Sequence, residues 1–278
     1  MAFDPERLQI LDAFQLPQLA RERAIRLYLP RDYHTTLRRY PVIYMQDGQN
    51  VFDDATASYG RSWRVGETLD ALHEQSGAGA IVVAIDCGED LRRFNEYSPW
   101  QMDAQFELPG RDIQGLHASG GEGEAYVRFL AETLKPYIDQ HYRTLSDRQH
   151  TVIAGSSMGG YISLYAGMTR PAVFGVLGVF SPAFWFNRQA MFDLVERTTL
   201  VCPMRIYMDM GSDETSDHAR SDFAQVYLQG SRDMHALLQN KTNLEVEYIE
   251  GAGHQHNELA WSLRFPHFAR WALSAEKA

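Results

Sequence analysis

Thr151-Val152-Ile153-Ala154-Gly155-Ser156-Ser157-Met158-Gly159-Gly160 is the stretch on which the reading of this chain turns. Its first residues form a short apolar run rich in β-branched side chains, as in a buried strand. From Met158 an amphipathic helical pattern continues to about Met168. Between the two, Gly155-x-Ser157-x-Gly159 has the spacing of a nucleophile elbow. So tight a strand-to-helix turn holds its middle residue in a strained conformation and lifts that side chain clear of the backbone. Strand and helix approach closely there, and Gly155, Ser156, Gly159 and Gly160 leave the room. A Gly-rich turn with an incidental serine is the plain alternative; the strand before and the helix after favour a nucleophile.

Outward from this turn, strand and helix patterns alternate. Strands are expected at 24–29, 40–45, 80–86, 176–180, 204–210 and 244–249, and helices at 66–75, 122–141, 222–239 and 258–275. Alternation of this kind predicts an α/β fold with a mostly parallel central sheet and helices on both faces. Residues 87–121 show little periodicity and are expected to form a long functional loop. No linker or repeat is visible, so the 278 residues are read as one domain over 1–278.

Bulk properties narrow the function classes. The formal net charge of −10 argues against a nucleic-acid partner, since phosphate backbones require basic patches. Cys87 and Cys202 are the two cysteines, read as buried free thiols, and no Cys/His cluster suggests a metal. No apolar stretch reaches membrane-spanning length and no secretory signal is visible, so a soluble cytoplasmic protein without membrane contact is expected. The sequence is silent on oligomeric state.

A serine hydroxyl needs a base within hydrogen-bond reach, and the base needs an orienting acid. Around an elbow of this type the chain order is Ser, acid, His. The strand at 204–210 runs into Gly211-Ser212-Asp213-Glu214-Thr215-Ser216-Asp217, which offers three carboxylates at the edge where sites of open α/β sheets lie. The strand at 244–249 runs into Gly251-Ala252-Gly253-His254-Gln255-His256-Asn257-Glu258, where two histidines compete. The oxyanion of acyl transfer needs backbone N–H donors, expected from Met158 and, in the turn Asp47-Gly48-Gln49-Asn50, from Gln49. Phe184, Trp185, Tyr97, Trp100 and Trp261 are candidate aromatic walls for a substrate, with Phe94 and Phe186 beside them. Arg92 and Arg93 are read as partners of Glu96 in a surface ion network.

Several segments together resemble the esterase D / putative esterase family of α/β-hydrolases, which includes enterochelin, feruloyl and acetylxylan esterases, S-formylglutathione hydrolases and mycolyltransferases. The matching segments are Tyr40 to Asp53, Asn95 to Trp100, Leu134 to Asp139, Gly155 to Gly160, Phe180 to Trp185, and His256-Asn257-Glu258 with Trp261 and Arg264. The resemblance implies an α/β-hydrolase fold and a serine esterase acting on a small-molecule carboxylic ester or thioester, with no metal or organic cofactor. In the family the histidine precedes a tryptophan by five residues, which His256 and Trp261 satisfy and His254 does not. The family's acid lies three residues past the glycine that ends its strand, which indicates Glu214, with Asp213 and Asp217 as alternatives. The implied triad is Ser157, His256 and Glu214. An acyltransferase on the same triad and a catalytically inactive binding protein are the competing readings.

Overall fold

A computed structural model describes residues 7–110 and 113–274. Among these residues, β1 (Leu8–Leu16), β2 (Arg21–Tyr28), β3 (Val42–Gln46), β4 (Ile81–Ile85), β5 (Thr151–Ser156), β6 (Val176–Phe180), β7 (Met204–Gly211) and β8 (Leu244–Gly251) form one sheet. Its order is β1-β2-β4-β3-β5-β6-β7-β8. β1 and β2 pair antiparallel, β2 joins β4 antiparallel, and every later pairing is parallel. The expected mostly parallel sheet is thus present. β3 to β6 are buried at every residue, which is why they read as unbroken apolar runs. β1 lies at the edge with many exposed residues, and it went unread for that reason.

The helices are α1 (Val65–Ser76), α2 (Arg92–Glu96), α3 (Ile113–His117), α4 (Gly123–Phe129), α5 (Lys135–His141), α6 (Met158–Thr169), α7 (Arg188–Arg197), α8 (Phe223–Gln239) and α9 (Glu258–Leu273). α1 and α9 contribute Leu69, Trp261 and Phe265 to one core with the sheet, while α4, α6 and α8 contribute Phe129, Ile162 and Met234 to the other. The single helix expected at 122–141 is α4, a wide π turn at Leu130–Leu134 and α5. The wide turn falls just before Pro136, which has no N–H to continue the regular ladder.

Two expectations are corrected and one further helix is found. Residues 87–121 are not one irregular loop, since α2 and α3 lie within them; helices of one turn leave no periodicity to detect. α6 is not amphipathic: Met158 to Met168 are all buried, because the helix is enclosed between the sheet and its helical neighbours. α7 was not foreseen; Asn187 caps it by accepting a hydrogen bond from the Ala190 N–H at 3.2 Å. Cys87 and Cys202 are free and half-buried. Among the described residues no helix is long and apolar enough to cross a membrane.

Candidate active site

Ser157 joins β5 to α6 with φ 58° and ψ −122°, a conformation that L residues rarely adopt. Two backbone bonds hold it there: its N–H donates to the Phe180 carbonyl at 3.0 Å, and its carbonyl accepts from the Ala183 N–H at 3.1 Å. The small neighbours are required. A Cβ on Gly155 would lie 2.8 Å from both Gln46 Cγ and the Gly159 carbonyl carbon, and one on Gly160 would lie 2.9 Å from the Phe180 carbonyl oxygen.

The loops after β7 and β8 bring one acid and one histidine together. Glu214 is fully buried, and its Oε2 lies 2.7 Å from His256 Nδ1. Its Oε1 accepts from the Gly211 N–H at 2.6 Å and from the Ser181 hydroxyl at 2.5 Å. The other candidates are used elsewhere. Asp213 takes a hydrogen bond from the Ser212 hydroxyl at 2.8 Å. Asp217 accepts from the N–H groups of Gly110 at 2.8 Å and Ala219 at 2.9 Å, so it secures loops. His254 turns its Nδ1 to Arg264 Nη1 at 3.5 Å, and its carbonyl accepts from the Asp213 N–H at 3.1 Å.

Behind the acid is a buried polar chain. Arg264 donates through Nη2 to Ser181 Oγ at 2.7 Å and to Glu214 Oε1 at 3.2 Å, while its Nε pairs with Asp209 Oδ2 at 3.0 Å. The Trp261 indole N–H also donates to Ser181 Oγ, at 2.8 Å. Ser181 is itself left-handed at φ 43°, which aims its hydroxyl into this junction. Burial by itself would push the Glu214 carboxyl up; the hydrogen bond and charge of His256, followed by the Arg264 charge, outweigh it and hold the carboxyl below its ordinary range. Asp209 goes the other way, raised to about 7 by burial against the pull of Arg264. The sequence carried one sign of this chain: Asp209 is a carboxylate inside the apolar strand β7.

Ser157, His256, Gln49, Trp185 and Trp261 line a cavity of about 690 Å³, with Phe94 and Tyr59 among its other walls. Met158 opens α6 directly after Ser157, so its N–H has no acceptor within the helix. Three expected aromatic walls lie elsewhere. Phe184 packs on Tyr161 and Phe192, and Trp100 packs edge-on against Tyr161 and Tyr165. Tyr97 is fully buried, and its hydroxyl accepts from the Asp47 N–H at 3.1 Å. Each is held by ring packing, with Phe184 and Tyr97 buried and Trp100 half-buried.

The arginine reading is corrected as well. Glu96 is buried and pairs with Arg21 at 2.8 Å and Arg23 at 2.6 Å. Arg93 instead grips Asp47 through two hydrogen bonds of 2.7 and 2.8 Å and lines the cavity. Glu258 lines it too, accepting from Asn50 Nδ2 at 3.1 Å; burial, with Asp47 nearby, raises its carboxyl to about 7. Tyr227 of α8 is a further residue that no sequence pattern flagged: its hydroxyl lies 3.4 Å from His256 Nε2 and 2.5 Å from Ser216 Oγ.

The family model described as "Putative esterase" matches residues 17–271. The uncharacterized protein YbbA of Bacillus subtilis is 25% identical over 257 residues, 87% of this chain and 93% of its own length. Ferri-bacillibactin esterase BesA, also of Bacillus subtilis, is 28% identical over 151 residues, 54% of this chain and 50% of its own. The siderophore hydrolase EstA of Aspergillus nidulans superposes with a TM-score of 0.72 at 20% identity, covering 99% of each chain, which is a likeness of the α/β-hydrolase type of fold.

Proposed function

The chain belongs to the Putative esterase family, and on that premise we propose that it is a serine esterase working through Ser157, His256 and Glu214. It is a carboxylic ester hydrolase. Ser157 Oγ attacks the ester carbonyl while His256 Nε2 takes its proton. Glu214 accepts the Nδ1–H, which fixes the tautomer and stabilises the cationic ring. The Met158 and Gln49 N–H groups bind the oxyanion. His256 then protonates the departing alcohol, and water repeats the sequence on the acyl-enzyme. Asp213, Asp217 and His254 are left out of this assignment.

The observation that carries the reading is the 2.7 Å contact between buried Glu214 and His256, which lines the same cavity as Ser157. By their names, BesA is an esterase of ferri-bacillibactin and EstA a siderophore hydrolase, and the cavity here has Phe94, Trp185 and Trp261 in its walls. The substrate class proposed is therefore a small-molecule ester bearing an aromatic group. The chain is read as one catalytic domain, since a single sheet carries every loop of the site.

Ser157→Ala should lower turnover of p-nitrophenyl acetate by ~10⁴-fold or more. Turnover equal to that of the parent would remove Ser157 from the mechanism.

A further inference from the structure

Resting on the Ser157–His256 assignment above, we propose that Tyr227 is a further catalytic residue, its hydroxyl donating a hydrogen bond to the oxygen of the departing alcohol. His256 Nδ1 faces a carboxylate oxygen at 2.7 Å and so carries the proton of the neutral ring, which leaves a lone pair on Nε2. The Tyr227 hydroxyl lies 3.4 Å from that lone pair and 2.5 Å from Ser216 Oγ. Either hydroxyl can donate in the Ser216 contact; when Ser216 donates to the phenol oxygen, the phenol proton is directed at Nε2. Burial pushes this phenol up to about 12, while the polar groups of Ser216, Trp185 and Ser157 pull the other way, so it remains protonated near neutrality. Its ring packs on Phe223, with centroids 5.2 Å apart, and on His256 at 4.8 Å. None of this packing uses the hydroxyl.

Catalysis reverses the polarity of Nε2. Once Ser157 has given up its proton, Nε2 bears hydrogen and no longer accepts from Tyr227. The phenol proton must find another acceptor, and negative charge is then developing on the leaving oxygen. That oxygen has to come within hydrogen-bond reach of Nε2 to receive its proton, which brings it beside the Tyr227 hydroxyl. The step balances without another reactant. The Ser157 Oγ–acyl bond forms and the acyl–alcohol bond breaks. The Ser157 proton crosses His256 to the leaving oxygen. Tyr227 retains its own proton and contributes a hydrogen bond to a charged oxygen.

The test is Tyr227→Phe, which keeps the ring, assayed as kcat/KM on esters with one acyl group and alcohols of rising pKa. The expected loss is about 2- to 3-fold for the p-nitrophenyl ester, whose anion departs almost unaided. It should grow to roughly 10- to 100-fold for the ethyl ester, the effect of one hydrogen bond to a charged oxygen. Ser216→Ala, which frees the hydroxyl without touching the ring, should give the same trend at smaller size. A loss equal across the series would overturn the proposal by reducing Tyr227 to a support for His256; no loss at all would overturn it too. Ser157→Ala in the same assays separates the two readings: if that variant keeps the parent's p-nitrophenyl activity, the nucleophile assignment fails whatever Tyr227→Phe shows.

Discussion

At Arg264 one guanidinium serves two buried carboxylates, Asp209 at 3.0 Å and Glu214 at 3.2 Å. Glu214 has to stay ionised in a place where burial opposes charge, and the arginine is part of what allows it. Replacing one member of such a group leaves the others uncompensated. Arg264→Met should therefore cost about 3–5 kcal/mol in urea unfolding, and adding Asp209→Asn should recover part of the loss by removing one buried carboxyl left without its partner. Legibility at this scale was uneven. Ser157 stood out because its strain needs a local Gly-rich pattern. Arg264 entered only through the family resemblance, and Tyr227 gave no local sign, since a tyrosine on a helix face reads as core.

Among the elements, the turn after β3 is tightly built. Asp47 is left-handed at φ 56°, and a Cβ on Gly48 would stand 2.7 Å from the Ala84 carbonyl carbon and 2.8 Å from the Asp86 nitrogen. Those contacts are backbone and cannot swing away. Gly48→Ala should therefore displace the turn and the Gln49 N–H with it, lowering kcat/KM by at least ~10-fold and stability by about 1–3 kcal/mol in thermal melts. An unchanged kcat/KM would argue against Gln49 as an oxyanion donor. The central strands were readable because strands buried on both faces are unbroken apolar runs. β1 was not, since an edge strand with exposed polar positions resembles a loop.

Across the whole molecule, the cavity joins the turn after β3 to the last helix: Asn50 donates to Glu258 at 3.1 Å, 208 residues apart in the chain. With Glu258 raised to about 7, the folded chain holds a proton that the unfolded chain has already released between the ordinary glutamate range and pH 7. Stability from this group is thus lost as pH rises through that window. Glu258→Gln, which can still accept from Asn50, should be stabilised by about 1–3 kcal/mol at pH 8 and far less at pH 5, read as Tm at the two pH values. The sequence by itself determined the alternation of strands and helices, the parallel sheet and the serine turn, because apolar periodicity and local steric demands act over a few residues. Only the tertiary structure decided that Glu214 and His256, 42 residues apart, meet while Asp213, Asp217 and His254 turn away. It also decided which aromatic rings reach the cavity. Hydrogen bonds act within about 3 Å and with fixed directions, and the paths of separate loops over a folded sheet decide which groups come that close.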